Sequence, residues 1–482
     1  VKGELPKGWI LTSLGEIASR LQAGGTPSTK VKAYYENGTI NYVKIEDMTN
    51  ADKYIFHTKI KITKSGLDNS SAWIIPENSL LYSMYASYGI PIINKIKVAT
   101  NQAIIAFIPP EGLVNLDYVY YYLLSLKPLL KYRIRGTTQE NLNANIVANI
   151  EIPLPPLAEQ QRIVNKIEEL FTNLDKGIES LEEVKSKLKV YRQVILKYAM
   201  EGKLTEKWRE RNKDKLESAS VLLDKIKEKK LKIKKFRKHS LIEKSILIKL
   251  PEEWTWTELV NIAIKFQSGG TPLTKIDKYY ENGTIPFVKI EDITNSKKYL
   301  YDTKIKITKE GLNNSSAWIV PENSILYSMY ASYGIPTINK IKVATNQAIV
   351  GIVPPHNLIN VEFIYYYLLY IKPGLKNLIR GTTQENLNAQ IVSNIFFSLP
   401  PLEEQHKIVE RIEQLFSLAD YIEETVDSKL GQSKTLRQSI LKKAFEGKLV
   451  PQDPNDEPAE LLLEKIKKQR LNKEELVQEK LI

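Results

Sequence analysis

Apolar side chains return every seventh residue through one long stretch of this chain. Ile167, Leu174, Leu181, Leu188 and Ile195 mark one seam. Val164, Phe171 and Ile178 mark a second, which lapses at Lys185 and Arg192. A stripe this narrow, sustained this long, predicts a long helix in a coiled coil rather than an ordinary core helix. Pro155 and Pro156 suit a first turn, Glu159 suits the positive end of the helix dipole, and Gly202 stands where the helix would stop. The pattern then recurs at an offset of 245 residues: LPPLAEQQRIVNKIEELF from Leu154 returns as LPPLEEQHKIVERIEQLF from Leu399, and AMEGKL from Ala199 as AFEGKL from Ala444. The second copy keeps Val409, Ile412, Phe416, Val426, Leu430 and Ile440, with breaks at Ser433 and Arg437. Two such helices, ~65 Å each at ~1.5 Å per residue, are expected to pair with each other.

The stretch before each long helix repeats at the same offset, about 5–155 as 250–400. YYENGTI occurs at Tyr34 and Tyr279, VKIED at Val43 and Val288, and TKIKITK at Thr58 and Thr303. LYSMYASYGIP occurs at Leu81 and Leu326, INKIKVATNQAI at Ile93 and Ile338, and RGTTQENLNA at Arg135 and Arg380. Short β-rich pieces (41–45, 79–82, 103–107) alternate with Gly, Pro and Asn turns, and one helical pattern covers 117–130. These features predict an α+β unit with too few helices for a doubly wound sheet. The expected division is 1–155, first globular domain; 156–204, first long helix; 205–249, basic connector; 250–400, second domain; 401–449, second long helix; 450–482, helical tail. VLLDKIK at Val221 matches LLLEKIK at Leu461, so each half reads globule, long helix, short helix. Such halves favour a pseudo-twofold arrangement with the tail near the first domain.

Composition narrows the function. The chain has 482 residues, no cysteine and a net charge of +13, and most of the surplus lies in 205–249. Disulfides and thiolate metal sites are excluded. No run of 18 apolar residues exists and Val1 onward does not read as a signal peptide, so a cytoplasmic protein is expected, its true start missing or replaced. A basic balance suits a polyanion partner. The four histidines, His57, His239, His356 and His406, have no histidine counterparts in the other copy. Neither a Walker loop nor a serine nucleophile elbow occurs, and Gly24-Gly25 and Gly269-Gly270 are too short for a dinucleotide fingerprint. No catalytic, cofactor or metal site is expected.

What the copies share is polar, aromatic, turn-borne and basic. Ser83, Tyr85, Ser87 and Tyr88 can donate, accept or stack, and Lys95, Lys97, Asn101 and Gln102 follow them. Asn and Gln can bond adenine bidentately, and Lys reaches guanine or phosphate. Arg135, Thr137, Thr138 and Gln139 lie around a Gly-hinged turn that suits phosphates plus one base edge. Thr26, Lys30 and Lys44 complete the first set. The second set is Thr271, Lys275, Lys289, Ser328, Tyr330, Ser332, Tyr333, Lys340, Lys342, Asn346, Gln347, Arg380, Thr382, Thr383 and Gln384. Taken together, these clusters predict contact with double-stranded DNA.

LPPLAEQQRIV and AFEGKLVPQDPNDEPAELLLEKIKKQR resemble the conserved regions of type I restriction–modification specificity subunits. GGTPST followed by YYENGTINYVKIED resembles the start of a target recognition domain in that family, and the resemblance spans essentially the whole chain. It implies two target recognition domains held apart by an antiparallel pair of long helices. It also implies a non-catalytic subunit that binds two methylation (M) subunits carrying S-adenosylmethionine, with restriction (R) subunits joining. Near-identical domains imply one half-site sequence read twice in opposite orientation, an interrupted palindrome, with the helices as a ruler between. Lys225 to Lys238 would face either DNA or an acidic partner surface. Two other readings are a stand-alone methyltransferase or nuclease with a divergent site, and a coiled-coil scaffold without a nucleic-acid role.

Overall fold

The computed structural model describes residues 4–84, 89–135, 142–229, 248–329, 334–380 and 387–479, with the backbone alone at 129–135, 376–380 and 473–479. Among the described residues the first domain has ten strands: β1 (Ile10–Ser13), β2 (Arg20–Ala23), β3 (Ile40–Val43), β4 (Tyr54–Ile55), β5 (Ile60–Ile62), β6 (Ser79–Ser83), β7 (Pro91–Asn94), β8 (Ala99–Thr100), β9 (Ile104–Ile108) and β10 (Glu151–Leu154). They form a five-stranded sheet in the order β2-β9-β6-β7-β4, a three-stranded sheet β5-β3-β8 and the pair β1-β10. The pairs β3–β8 and β4–β7 are parallel and the others antiparallel. The same ten strands and the same orders recur between Thr255 and Leu399.

Side-chain alternation explains the layering. Leu80, Tyr82, Ile93, Ile105 and Phe107 face a core shared with the domain helix Leu116–Arg135 and the long helices. Leu81, Ile92, Ile104 and Ala106 face the opposite side, against Val43, Met48 and Val98. The domain helix runs past the expected 117–130, with Pro128 inside it.

The long helices are Leu157–Met200 and Leu402–Phe445. Gly202 and Gly447, at φ +71 and +66, adopt the left-handed conformation that ends each one. The chain divides into two compact units: Val1–Leu181 with Asp427–Ile482, and Glu182–Val426. Each unit therefore contains one domain, the start of that domain's long helix and the end of the other. Within the first unit, Arg437 pairs with Asp175 and lies 4.5 Å from the Phe171 ring centre, while Arg162 pairs at 2.5 Å with Asp456 beyond the second helix. Within the second, Arg192 bonds Asp420 at 2.7 Å and Glu423 at 2.9 Å and lies over Phe416, while Arg209, beyond the first helix, bonds Glu404 at 2.6 Å. Partner numbers fall as residue numbers rise, so the segments are antiparallel in both units. The seam breaks at Arg192 and Arg437 are thus cation–aromatic and ionic contacts across the pair.

The tail packs where its sequence match suggests. Ala459 N–H bonds Gly8 O at 3.0 Å, and Leu462 and Ile466 of the tail helix Ala459–Glu479 join the first domain's core. In the second unit the connector helix Ala219–Lys229 does the same, with Ala219 N–H bonding Glu253 O at 2.9 Å. Among the described residues, no helix is long and apolar enough to cross a membrane.

Candidate nucleic-acid interface

Strand register decides which candidate residues meet. Ala23 of β2 lies opposite Ile105 of β9, and Ser83 of β6 opposite Ile104. The loop after β2, the turn before β9 and the chain after β6 therefore leave the five-stranded sheet at one end. Thr26 follows β2 there, and Asn101 and Gln102 precede β9. Met84 N–H bonds Ala103 O at 2.8 Å, and Leu142 N–H bonds Met84 O at 3.2 Å. Residues flanking 85–88 and 136–141 thus come together beside the Asn101–Gln102 turn. Val43 of β3 pairs with Thr100, which brings Lys44 to the same place. In the second unit Asn346 N–H bonds Val288 O at 3.3 Å, next to Lys289.

The Gly-Gly-Thr-Pro loop is clamped onto this end. Gly24 and Gly25 N–H groups bond Ile104 O and Thr100 O at 3.0 and 2.9 Å. A Cβ on Gly24 would sit 2.1 Å from Thr100 O, and one on Gly25 2.2 Å from Ser71 Oγ, so only glycine fits. The glycines serve this close approach. Tyr35 OH donates to Pro27 O at 2.6 Å, and Tyr42 OH to Gly25 O at 2.9 Å. Burial pushes the Tyr42 hydroxyl up to about 12, so it remains a donor. The second unit repeats the clamp, with Gly269 and Gly270 equally tight and Tyr280 OH on Pro272 O at 2.6 Å. Phe287 replaces Tyr42 there.

Thr26 Oγ1 donates to Gln102 Oε1, and Thr271 Oγ1 to Gln347 Oε1 at 2.5 Å. Asn101 and Asn346 each accept on Oδ1 from the N–H two residues on, Ala103 or Ala348, at 3.1 Å. Each amide oxygen therefore already accepts one internal bond and keeps a second lone pair. With that lone pair and the NH2, each amide can still meet a base edge, adenine included. Thr26, Gln102, Thr271 and Gln347 are exposed, as are Lys30 and Lys275 on the same loops, while Lys44, Asn101, Lys289 and Asn346 are partly exposed.

Other candidates stand elsewhere. Ser83 and Ser328 are fully buried, and their hydroxyls accept the N–H groups of Ile90 and Ile335 at 2.9 and 3.0 Å, so they shape the strand end from inside. Lys95 lies at the opposite end of the sheet, because Asn94 pairs with Ser79. It bonds Asn78 Oδ1 at 2.9 Å and covers the Tyr54 ring, as Lys340 does with Asn323 and Tyr299. Lys97 and Lys342 are exposed ahead of β8 and its repeat, away from Lys44 and Lys289. Tyr85, Ser87, Tyr88, Thr137, Thr138, Gln139, Tyr330, Ser332, Tyr333, Thr382, Thr383 and Gln384 lie outside the described residues, as does most of Lys225 to Lys238. Arg135 and Arg380 end the domain helices, where backbone alone is described.

Of the residues that hold each domain on its long helix, the sequence pointed to Glu159 alone. Lys53 bonds Asp117 and Glu168, both at 2.7 Å, and Lys298 bonds Glu413 at 2.5 Å. Burial opposes the Lys53 charge, but the hydrogen bonds it donates to Asp117 and Glu168 outweigh that and hold its pKa above the ordinary value. Gln160 and Gln405 accept the Asn115 and Asn360 N–H groups at 2.9 Å. Trp9 and Trp254 donate to Glu159 and Glu404 at 2.9 and 2.8 Å. Glu159 is thus an interior group whose pKa is raised by burial, beyond its expected helix-dipole role. The internal Trp-to-Glu spacing of 150 residues is equal in both copies and was the one signal available.

Each of the two compact units presents the same clamped polar loop. Residues 6–188 and 251–432 match the family described as the type I restriction modification DNA specificity domain. The chain belongs to that family. The EcoBI specificity subunit of Escherichia coli is 28% identical over 96% of this chain and 92% of its own length. The MjaIX specificity subunit of Methanocaldococcus jannaschii is 25% identical over 85% and 87%. The fold resembles the HsdS subunit from Thermoanaerobacter tengcongensis (TM-score 0.56, 19% identity, 93% of this chain and 99% of that one). It also resembles a chain from a structure of complex assembly and conformational transition in a type I R-M system (TM-score 0.64, 20% identity, 92% and 100%). This chain is the DNA-specificity subunit of a type I restriction–modification enzyme, with two recognition repeats for a bipartite target, and is not the catalytic subunit.

Proposed function

We propose that the two domains read the same short word in opposite orientation, so that the target is an interrupted palindrome. The observation that carries this is the repetition of the whole candidate face: Thr26, Lys30, Lys44, Asn101 and Gln102 recur as Thr271, Lys275, Lys289, Asn346 and Gln347, with the Thr–Gln bond intact in both. The lysines supply sequence-independent phosphate contacts and the amides read base edges. The long helices act as the ruler between half-sites. Two methylation subunits carry S-adenosylmethionine and the chemistry on the flipped base, and restriction subunits join them. Exposed apolar residues on the helices, Tyr191, Val194, Tyr198, Leu418 and Tyr421, are the surface we assign to docking. Single-molecule methylome sequencing of a host carrying this chain and its methylation partner tests the reading. One bipartite motif with inverted, matching halves is expected; two unrelated halves would refute it.

A further inference from the structure

The two recognition loops share one backbone but differ in one outward side chain. Gly24 to Pro27, Thr29 and Lys30 recur as Gly269 to Pro272, Thr274 and Lys275; between them stands Ser28 in one copy and Leu273 in the other. Both prolines are buried and held by a tyrosine hydroxyl at 2.6 Å, so the following residue leaves from the same fixed point. Both loops then close the same turn, with Val31 N–H on Ser28 O and Ile276 N–H on Leu273 O at 3.1 Å. Ser28 is exposed, and Leu273 is 66% exposed. It stands two residues from Thr271, whose hydroxyl holds Gln347. A leucine aimed outward here gains when covered, and among base-edge groups in the major groove the apolar one is the thymine C5-methyl.

We infer that Leu273 is a specificity-determining residue that packs on a thymine methyl, and that Ser28 takes no such methyl. The target is then an inverted repeat broken at one position: the half-site read by the second unit requires thymine where the other half-site does not. This rests on the two-domain reading proposed above and refines it.

The test removes the methyl alone. The full chain, with its methylation subunits, is bound to duplexes carrying its motif, with each thymine of each half-site replaced in turn by deoxyuridine. One replacement, in one half-site only, should weaken binding by about fourfold, the effect expected from uncovering one methyl. Leu273→Ser should abolish that sensitivity, and Ser28→Leu should create it at the matching position of the other half-site. Both side chains are exposed, so neither change disturbs the core. Equal deoxyuridine profiles in the two half-sites, or a Leu273→Ser protein that keeps the wild-type profile, overturn the assignment while leaving bipartite recognition standing. A complex that methylates no bipartite motif would instead defeat the underlying reading.

Discussion

Glu159 and Glu404 open the two long helices at matching positions and bond matching tryptophans, yet their surroundings differ. In the second unit Glu404 Oε1 accepts both Thr205 Oγ1 and Arg209 Nη1 at 2.6 Å. The counterparts of Thr205 and Arg209 in the tail are Val450 and Pro454. Glu159 Oε1 accordingly has no hydrogen-bond partner among the described residues, and nearby Arg162 is turned to Asp456. Burial raises both pKa values; at Glu404 bonds from Thr205, Trp254 and Arg209 oppose it, and at Glu159 the bond from Trp9 is the chief opposition. Two units can therefore present one recognition face on unequal foundations. The second gives its buried carboxyl group an arginine, a threonine and a tryptophan, and the first gives its own a tryptophan.

The largest effect should come from breaking the ion pair. Arg209→Met leaves Glu404 buried without its cation, and urea unfolding should show a loss of ~3–5 kcal/mol in the transition of the second unit. An unchanged transition would mean that water already serves Glu404. Next come the carboxyl groups themselves. Glu404→Gln should cost ~2 kcal/mol at neutral pH, because Arg209 then faces a neutral amide. Glu159→Gln should be nearly neutral and should depend on pH. Its folded pKa is raised above the ordinary 4.5, so its stabilising contribution is complete below that value and is lost as pH rises through the folded pKa. Glu159→Gln should therefore gain on the wild type as pH is raised from about 4.5 toward neutrality. A difference that fell with rising pH would contradict a raised pKa. The smallest effect concerns the clamped loop. Tyr42→Phe makes the first unit resemble the second and should cost ~1 kcal/mol, with Phe287→Tyr recovering part of that in the other unit. Thermal unfolding of the two variants would check both.

Much of this fold was legible because it is local and periodic. The seam from Val164 to Ile195 located a long helix, the proline pair and Gly202 bounded it, and alternation picked out β3, β6 and β9. The repeat also placed the tail on the first domain. Strand order was not legible. Lys95 and Gln102 are seven residues apart, yet the crossing from β7 to β8 and on to β9 sends them to opposite ends of the sheet. Ser83 belongs to a run of tyrosines and serines that reads as a surface of donors, whereas its strand turns it inward. The partners of Glu404 lie 195 and 199 residues away, and no short-range pattern announces them. The arginine breaks in the seam carried a hint, since each has a phenylalanine to cover on the opposing helix.

We have proposed that two like faces grip one duplex in inverted orientation. A direct measurement compares binding of the full chain with its methylation subunits to two duplexes, one with its half-site word inverted across the native gap and one with the same word repeated directly. Tight, salt-sensitive binding to the inverted duplex and only non-specific binding to the direct repeat is the predicted result. Equal affinity for the two duplexes would contradict it.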